Sequence, residues 1–426
     1  MKYIVNGGER LSGKLNITGS SYSAGALISL SLLCSSSSKL ENIPMCYGLE
    51  RLITILTPIF PKIERSQNNN LTIDPTVLTS IKKVEILLDA DPEVFFALPA
   101  LISKNIQVVL GGSKNSFAIH RSVLELLKLL DLSTETSLHN LTITKPQKIK
   151  ENYHLDFGGN NELEATLAIL FAVTLNTTIS IINYPRNPSF LQFLEALKQC
   201  NIAVDTNTTT NDSETVEIKS ANLPTTGVQT TTFFCDKLAT FYAFASMGTL
   251  GDIALLGVNH KDLMPFCAKI LPWGAMLDPI SSNELKIYAQ KNKLEETVAF
   301  EVKSYPGFID LWGYLALVYL LSTQNTVSLV FPNSAILQIF VKELNRVGAN
   351  LDLVLVGNFV RVVSLKKPEL ASKKIIIDDR ELILPFVLLA LLHKGKTVLG
   401  NGEIIDSYYP DLIENLKLLG ANLETD

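Results

Sequence analysis

Short polar segments come just before several predicted helices, and they contain the residues best able to do chemistry. They lie at residues 19–22, 111–114, 158–160, 307–310 and 378–381. The first N–H groups of a helix lack intrahelical partners and lie at its positive dipole end, so several such turns aimed at one place would bind a phosphorylated ligand. We therefore expect weak phosphate or sulfate binding at the turns around Gly19, Gly158 and Gly307.

Cysteine and histidine form no recognisable metal or disulfide pattern. The five cysteines are an odd number without a Cys-x-x-Cys pair, and the five histidines are far apart in the sequence. This usage predicts unpaired thiols in a reducing compartment. No metal and no cofactor is expected.

The strands and helices that must position the polar segments repeat along the chain. A nine-residue ending, Leu-Lys-Leu-Leu-Gly-Ala-Asn-Leu-Glu, closes at residue 424, and related endings close at residues 64, 135, 205, 278 and 352. The spacing of about seventy residues predicts six strand-helix units. Mixed strands and helices place the fold in the α/β (α+β) class. A polar stretch near residues 220–230 leaves three units on each side and predicts a domain boundary.

Composition excludes several partners. The chain has 426 residues, 47% of them hydrophobic and 19% charged, with a formal net charge of −5. This acidic balance argues against nucleic acid or an anionic membrane as partner. The longest strongly apolar runs have about a dozen residues, too few to span a bilayer. The opening residues turn polar at once, so we see no signal peptide and expect a soluble, cytoplasmic protein.

Several stretches resemble the enolpyruvyl transferase family, which includes EPSP synthase and UDP-N-acetylglucosamine 1-carboxyvinyltransferase. The best stretches are residues 3–19, 70–74, 305–308 and 343–349, and the likeness covers essentially the whole chain. The second of these two branches is the more similar. The matching stretches belong to the scaffold, so they indicate fold more strongly than chemistry.

The resemblance implies an inside-out pair of α/β domains built from six units, three in each. The first residues would join the C-terminal half, giving a first domain at 21–225 and a second comprising 1–20 and 226–426. Substrates would bind in the cleft between the domains. The implied reaction moves the enolpyruvyl group of phosphoenolpyruvate onto a hydroxyl, in the second branch that of UDP-N-acetylglucosamine during peptidoglycan precursor synthesis. The implied partners are small anionic substrates, and the oligomeric state stays open.

The residues that the family uses for this chemistry are largely replaced. The family's Gly-x-Lys-Asn corresponds to residues 19–22, so Ser21 replaces lysine and Tyr22 replaces asparagine. The arginine of the second unit falls near residues 92–93, and the reactive cysteine corresponds to Ser113. Asp310 and Arg380 each lie one residue away from the family's base aspartate and phosphoenolpyruvate-binding arginine.

Three hypotheses remain open. The chain could be an active transferase that uses displaced residues, a catalytically silent relative that binds a nucleotide sugar, a phosphate or a protein, or a related transferase such as an EPSP synthase-like enzyme. The losses favour the silent relative, because a positioned acid or base typically contributes roughly 10²–10⁴ in rate. The resemblance gives the following candidates: catalytic Ser113, Asp310 and Arg380, and substrate-binding Ser21, Tyr22, Lys114, Arg121, Asn160 and Asp236.

Each charged candidate also has a purely structural interpretation. Lys114 and Arg121 could be solvated surface charges, and Asp236 and Asp310 could be helix N-caps. Arg380 could pair with an acidic neighbour at 378, 379 or 381. Ser113 could be a turn residue after two glycines.

Overall fold

The computed structural model describes residues 1–66, 69–88, 91–136, 140–157, 161–208, 214–220, 222–289, 297–302, 309–371 and 373–426. Residue contacts divide the chain into two compact units. The inserted unit is Thr18–Phe233, and the split unit is Met1–Ile17 with Phe234–Asp426.

The inserted unit begins and ends a few residues away from the domain limits expected from sequence. The segment that follows residue 225 contains a strand, Gln229–Thr231, which pairs in parallel with Ser38–Glu41. The backbone N–H of Phe233 also donates to the Ser23 hydroxyl at 3.1 Å. These contacts hold residues 226–233 in the inserted unit.

The elements are numbered in chain order. The first strands, in the split unit, are β1 (Lys2–Gly7) and β2 (Ser12–Asn16). The inserted unit has α1 (Ser21–Leu33), β3 (Ser38–Glu41), α2 (Tyr47–Leu56), β4 (Ile63–Arg65), β5 (Leu71–Ile73), β6 (Lys83–Leu87), α3 (Ala97–Ser103), β7 (Gln107–Gly111), α4 (Lys114–Ile119), α5 (Arg121–Leu129), β8 (Ser133–Thr136), β9 (Asn140–Thr144), β10 (Asn152–Asp156), α6 (Glu162–Leu175), β11 (Thr178–Ile182), α7 (Pro188–Gln199), β12 (Ala203–Thr208), β13 (Glu214–Lys219) and β14 (Gln229–Thr231).

The split unit continues after the inserted unit. Its further elements are α8 (Asp236–Gly248), β15 (Asp252–Leu256), α9 (His260–Ile270), β16 (Ala275–Ser281), β17 (Glu284–Ala289), β18 (Thr297–Glu301), α10 (Ile309–Ser322), β19 (Thr326–Pro332), α11 (Ala335–Arg346), β20 (Leu351–Val356), β21 (Phe359–Ser364), β22 (Lys374–Ile376), α12 (Ile383–Leu392), β23 (Gly395–Gly400), α13 (Gly402–Tyr408), α14 (Leu412–Leu418) and β24 (Asn422–Thr425). Short 3-10 helices span Pro92–Phe96, Leu271–Trp273 and Arg380–Leu382.

The described strands form six four-stranded sheets, three in each unit, and all six share one pairing pattern. In each sheet one parallel pair is followed by two antiparallel pairs, as in the order β10-β11-β13-β12. In the split unit β1 lies between β23 and β24, antiparallel to both. The prediction of six repeated units is therefore confirmed.

The core helices are apolar on all sides, which is typical of buried helices. In the inserted unit α1, α3 and α6 pack against one another, and in the split unit α8, α10 and α12 do the same. In α1 every residue from Ser23 to Leu33 is buried. The other long helices, such as α5 and α11, bury one face only.

The α/β fold class is confirmed, and the main deviation concerns the helix of the second unit. The sequence predicts one helix over residues 92–103, whereas the structure has a 3-10 turn at Pro92–Phe96 followed by α3. The proline at the first position fixes φ and lacks an N–H, which suits a tight start. Among the described residues, no helix has the length and apolarity needed to cross a membrane.

Candidate functional site

The start of α1 brings Ser21 to a buried acid. Ser21 is the first residue of α1, and its hydroxyl donates to Oε1 of Glu93 at 2.8 Å. Tyr22 is half-buried, with its ring edge-on to Phe96 at a centroid distance of 6.4 Å. At residue 21, where the resemblance predicts a family lysine, the structure has a neutral donor bonded to a carboxylate.

Glu93 lies beside the first turns of two helices. Its side chain is only 4% exposed, and its Oε2 lies 2.6 Å from where a Cβ on Gly48, the second residue of α2, would stand. A carboxylate is stabilised at helix N-termini, because the N–H groups and the positive dipole end face it. From the sequence we expected an external anion to bind at a helix start near Gly19. In the structure a carboxylate of the chain itself, that of Glu93, lies beside two helix starts. The turns at Gly158 and Gly307 lie outside the described residues.

Cys46 completes this cluster. It is the N-cap residue of α2 and is buried. Burial raises the pKa of the Cys46 thiol to about 11, with a further contribution from the Glu93 carboxylate, while hydrogen bonds from the Leu49 backbone and the Ser21 side chain lower it. The thiol is therefore protonated at neutral pH and a poor nucleophile.

Ser113 is a helix cap. Its Oγ accepts from the backbone N–H of Ser116 at 3.1 Å, at the start of α4, and lies 2.9 Å from the Ser116 hydroxyl. This is the usual satisfaction of an orphan N–H by an N-cap serine. Ser113 is exposed, and its described hydrogen bonds are local.

The two basic candidates of the inserted unit are on the surface. Lys114 is exposed, and the side chain of Arg121 is 81% exposed. The Arg121 Nε donates to Glu125 at 2.7 Å, one turn later in α5, and this bond raises the guanidinium pKa. Both side chains are thus exposed, as the interpretation of them as solvated surface charges expected. The functional roles of both residues stay predictions.

Asn160 lies outside the described residues, but a polar cluster follows it. Oε2 and Oε1 of Glu162 accept from the Asn187 amide and the Ser189 hydroxyl, both at 2.5 Å. Asn187 and Ser189 are each 6% exposed. The bonds tie the start of α6 to the start of α7.

In the split unit, Arg380 belongs to a charged cluster. The Oε2 atom of Glu381 lies 3.7 Å from Lys237 Nζ, and its Oε1 atom lies 3.6 Å from Arg380 Nε. The Arg380 guanidinium also stands over the Tyr408 ring at 5.8 Å. Arg380 therefore has the acidic neighbour that the structural interpretation expected, here at position 381.

The electrostatics of this cluster shift two pKa values in opposite directions. Lys237, with Arg380 adding to it, holds the pKa of Glu381 below its usual range, although burial opposes the shift. Glu381 in turn raises the pKa of the Lys237 amine. Both groups are charged near neutral pH. Lys237 is a residue that the candidate set from the sequence did not contain.

Two aspartates complete the candidates of the split unit. Asp236 is the first residue of α8, and its Oδ1 accepts from the backbone N–H of Lys237 at 2.7 Å. Asp310 is in α10, but its side chain lies outside what the structure describes. Where the chain is described, no three His, Cys, Asp or Glu side chains come together as a metal site.

A family model described as EPSP synthase (3-phosphoshikimate 1-carboxyvinyltransferase) matches residues 5–416. The chain belongs to the EPSP synthase family. Among the relatives of this family member is a UDP-N-acetylglucosamine 1-carboxyvinyltransferase of Halothermothrix orenii, 25% identical, with 99% of each chain covered. The enzyme of that name from Ruthia magnifica is 26% identical, again with 99% of each chain covered.

Solved structures agree on the fold of this EPSP synthase-family chain. The enolpyruvyl transferase NikO from Streptomyces tendae matches with a TM-score of 0.79 at 17% identity, covering 99% of this chain and 98% of its own. EPSP synthase from Acinetobacter baumannii matches with a TM-score of 0.74 at 14% identity, covering 100% of this chain and 99% of its own. At these identities the likeness concerns the fold alone.

Proposed function

We propose that the chain is a diverged enolpyruvyl transferase-family protein of the UDP-N-acetylglucosamine 1-carboxyvinyltransferase type that no longer transfers efficiently from phosphoenolpyruvate. Its type is supported by relatives of that name aligned over 99% of both chains. The loss of transfer is supported above all by one observation, the hydrogen bond from Ser21 to the buried Glu93.

The charge at this position opposes an anionic donor substrate. Two unit charges about 4 Å apart interact by about 4 kcal/mol at an effective dielectric constant of about 20. The resemblance places a lysine and an arginine near Ser21 and Glu93, so a phosphate or carboxylate there would meet repulsion where the family supplies attraction. One lost electrostatic donor alone costs roughly 10²–10³ in rate.

The acid needed to protonate the enolpyruvyl carbon is also missing from its expected position. Ser113 has a hydroxyl in place of a thiol, whose reference pKa is about 8.5, and that hydroxyl is bonded to the first turn of α4. Arg380 keeps a cation near its expected position, but Glu381 lies beside it and compensates part of its charge.

The test is transfer by the purified full-length chain. We expect no phosphate release above the blank when phosphoenolpyruvate is mixed with UDP-N-acetylglucosamine or with shikimate 3-phosphate, and phosphoenolpyruvate binding no tighter than millimolar. Phosphate release that requires both substrates and disappears in Arg380→Ala or Asp310→Ala would overturn the proposal. The acceptor that supports release would then separate the two branches of the family.

A charge-reversal variant tests the reason for the loss. The double variant Ser21→Lys with Glu93→Arg should bind phosphoenolpyruvate at least tenfold more tightly than the parent, because it replaces one negative charge with two positive ones. The matched control is Glu195→Gln, which removes an exposed carboxylate of the same unit and should leave phosphoenolpyruvate binding unchanged. Equal binding by the double variant and this control would remove Glu93 as the cause.

A further inference from the structure

Two buried cysteines of the inserted unit meet at the ends of two helices. Cys34 directly follows α1, Cys200 directly follows α7, and their sulfur atoms are 3.9 Å apart. The two residues are 3% and 0% exposed. They are 166 positions apart in the sequence, so only the fold brings them together.

We propose that Cys34 and Cys200 are a redox modification site, at which a small peroxide converts the two thiols into a disulfide bond. An S–S bond measures about 2.05 Å, so the sulfur atoms need to approach by about 2 Å. Both cysteines are at helix ends followed by non-helical backbone, where such an adjustment is easier than inside a helix. A buried cysteine is often just a small apolar residue, but sulfur-to-sulfur contact is not needed for that role.

The hydrogen bonds give the two cysteines different roles. Cys34 Sγ donates to the Leu30 carbonyl at 3.3 Å and toward Cys200 Sγ. The bond from Cys34 lowers the pKa of Cys200, whereas its interaction with Cys200, together with burial, raises the pKa of Cys34. Cys200 is therefore the thiol that ionises more readily, and we assign it the attack on the peroxide and Cys34 the attack that resolves the intermediate.

The reaction balances with one peroxide. The Cys200 thiolate attacks one oxygen of hydrogen peroxide, the O–O bond breaks, and a sulfenic acid and hydroxide form. Cys34 sulfur then attacks the sulfenic sulfur, the S–O bond breaks, and the departing hydroxide takes the Cys34 proton as water. The hydroxide of the first step takes up the proton that Cys200 released on ionising. Two thiols thus lose two electrons, and the peroxide becomes two molecules of water.

Burial selects the size of the oxidant. Cys200 lies in the wall of a cavity of about 540 Å³, with Lys219, Ser220 and Thr225 among the other lining residues. Cys200 itself is 0% exposed, so an oxidant reaches its sulfur only when neighbouring residues move. A two-oxygen molecule can pass after a small movement of the wall, whereas glutathione disulfide is too large to reach the sulfur.

The test is peroxide treatment of the full-length protein, followed by alkylation of remaining thiols under denaturing conditions and peptide mass spectrometry. We expect a cross-linked peptide pair joining Cys34 to Cys200, loss of two alkylatable thiols of five, and reversal by dithiothreitol. The control Cys46→Ser removes another buried thiol of the same unit and should give the same cross-link. Equimolar glutathione disulfide should react much more slowly.

Variants that each lack one of the two cysteines test which thiol reacts first. In Cys34→Ser we expect a Cys200 sulfenic acid that dimedone traps once the peroxide-treated protein is denatured, and in Cys200→Ser no dimedone adduct at Cys34. Because a variant could fail to fold, a second measurement uses the parent protein, whose melting temperature should rise after peroxide and fall back after dithiothreitol. Five alkylatable thiols after peroxide, a cross-link between other cysteines, or sulfinic acid at Cys200 without a cross-link would each overturn the proposal.

Discussion

Ser21 and Glu93 are partners in the fold, because the hydroxyl of one donates to the carboxylate of the other. The resemblance places a family lysine at residue 21 and a family arginine near residues 92–93, but the sequence does not show that these two places meet. Residues 21, 48 and 93 belong to three separate segments of the chain, and only tertiary packing makes Glu93 the buried neighbour of two helix starts. An acidic residue at the head of the otherwise apolar run 92–102 was the available signal.

Ser21→Ala should therefore destabilise the protein. It leaves a buried carboxylate without one of its donors, which typically costs about 1–3 kcal/mol of the free energy of unfolding. Urea unfolding followed by circular dichroism measures this difference. As control, Ser21→Thr keeps a hydroxyl at the same position and should recover most of the loss, while an unchanged midpoint in Ser21→Ala would show that the bond contributes nothing.

The Lys237–Glu381 pair predicts how stability depends on pH. The lowered pKa of Glu381 contributes stability above the unfolded carboxyl value of about 4.3, and this stability is lost as pH falls through the lower folded value. The raised pKa of Lys237 contributes stability below about 10.4, which is lost as pH rises through the higher folded value.

Lys237→Met should consequently reduce stability by about 1 kcal/mol near neutral pH, since the lysine side chain is 39% exposed and solvent screens the pair. The difference from the parent protein should shrink below about pH 4, where Glu381 becomes protonated. Chemical unfolding at a series of pH values provides the measurement, and Lys286→Met, which affects a comparable exposed pair with Asp252, is the control. A difference that stays constant down to pH 3 would assign the effect to packing instead.

At the scale of elements, the sequence predicts the core helices well because an apolar run with no polar face has few alternatives. Residues 24–33 predict a helix, which is observed at Ser21–Leu33, and residues 178–182 predict a strand, which is observed with those bounds. The start of α1 was missed because its first turn is Ser-Tyr-Ser. These polar residues belong to the helix, and their contacts, including Ser21 to Glu93 and Ser23 to Gln192, are made only in the folded unit.

Close packing between α1 and the 3-10 turn depends on Gly25. A Cβ at this position would lie 2.5 Å from the Phe96 ring, which is 1% exposed and cannot move aside. Gly25→Ala should destabilise the protein by about 1–3 kcal/mol through overpacking, partly offset by alanine's helix propensity. Thermal or urea unfolding measures the change. Thr54→Ala on the exposed face of α2 is the control for propensity alone, and a Gly25→Ala protein as stable as its parent would show that α1 can move.

At the scale of the whole molecule, the repeat in the sequence predicts the number of sheets but not every strand in them. Three of the six sheets take one strand from a distant part of the chain, namely β1, β2 and β14. The repeat does not fix the residue at which the chain passes from the inserted unit to the split unit, because that depends on which sheet the strand β14 joins. Its parallel pairing with β3 assigns residues 229–231 to the inserted unit. Ion pairs such as Lys237–Glu381 could likewise not be predicted from the sequence, because about 140 residues separate the partners.

A pair of fragments tests this boundary. We expect residues 18–233 to unfold cooperatively on their own, because this unit has three sheets and its own buried helices. The shorter fragment 21–225 lacks β14 and the Phe233–Ser23 bond, so it should melt at a lower temperature. Circular dichroism during heating compares the two, and identical melting would place the boundary at residue 225.

The position of β1 between β23 and β24 has a consequence for synthesis. A ribosome delivers a chain from its N-terminus, so β1 emerges well before its two partner strands, Gly395–Gly400 and Asn422–Thr425. The inserted unit can close as soon as residue 233 has left the exit tunnel, while β1 waits with both edges unpaired until residues 395–425 have been made. Nascent chains of this protein therefore carry an exposed strand over that interval, a natural binding segment for a chaperone.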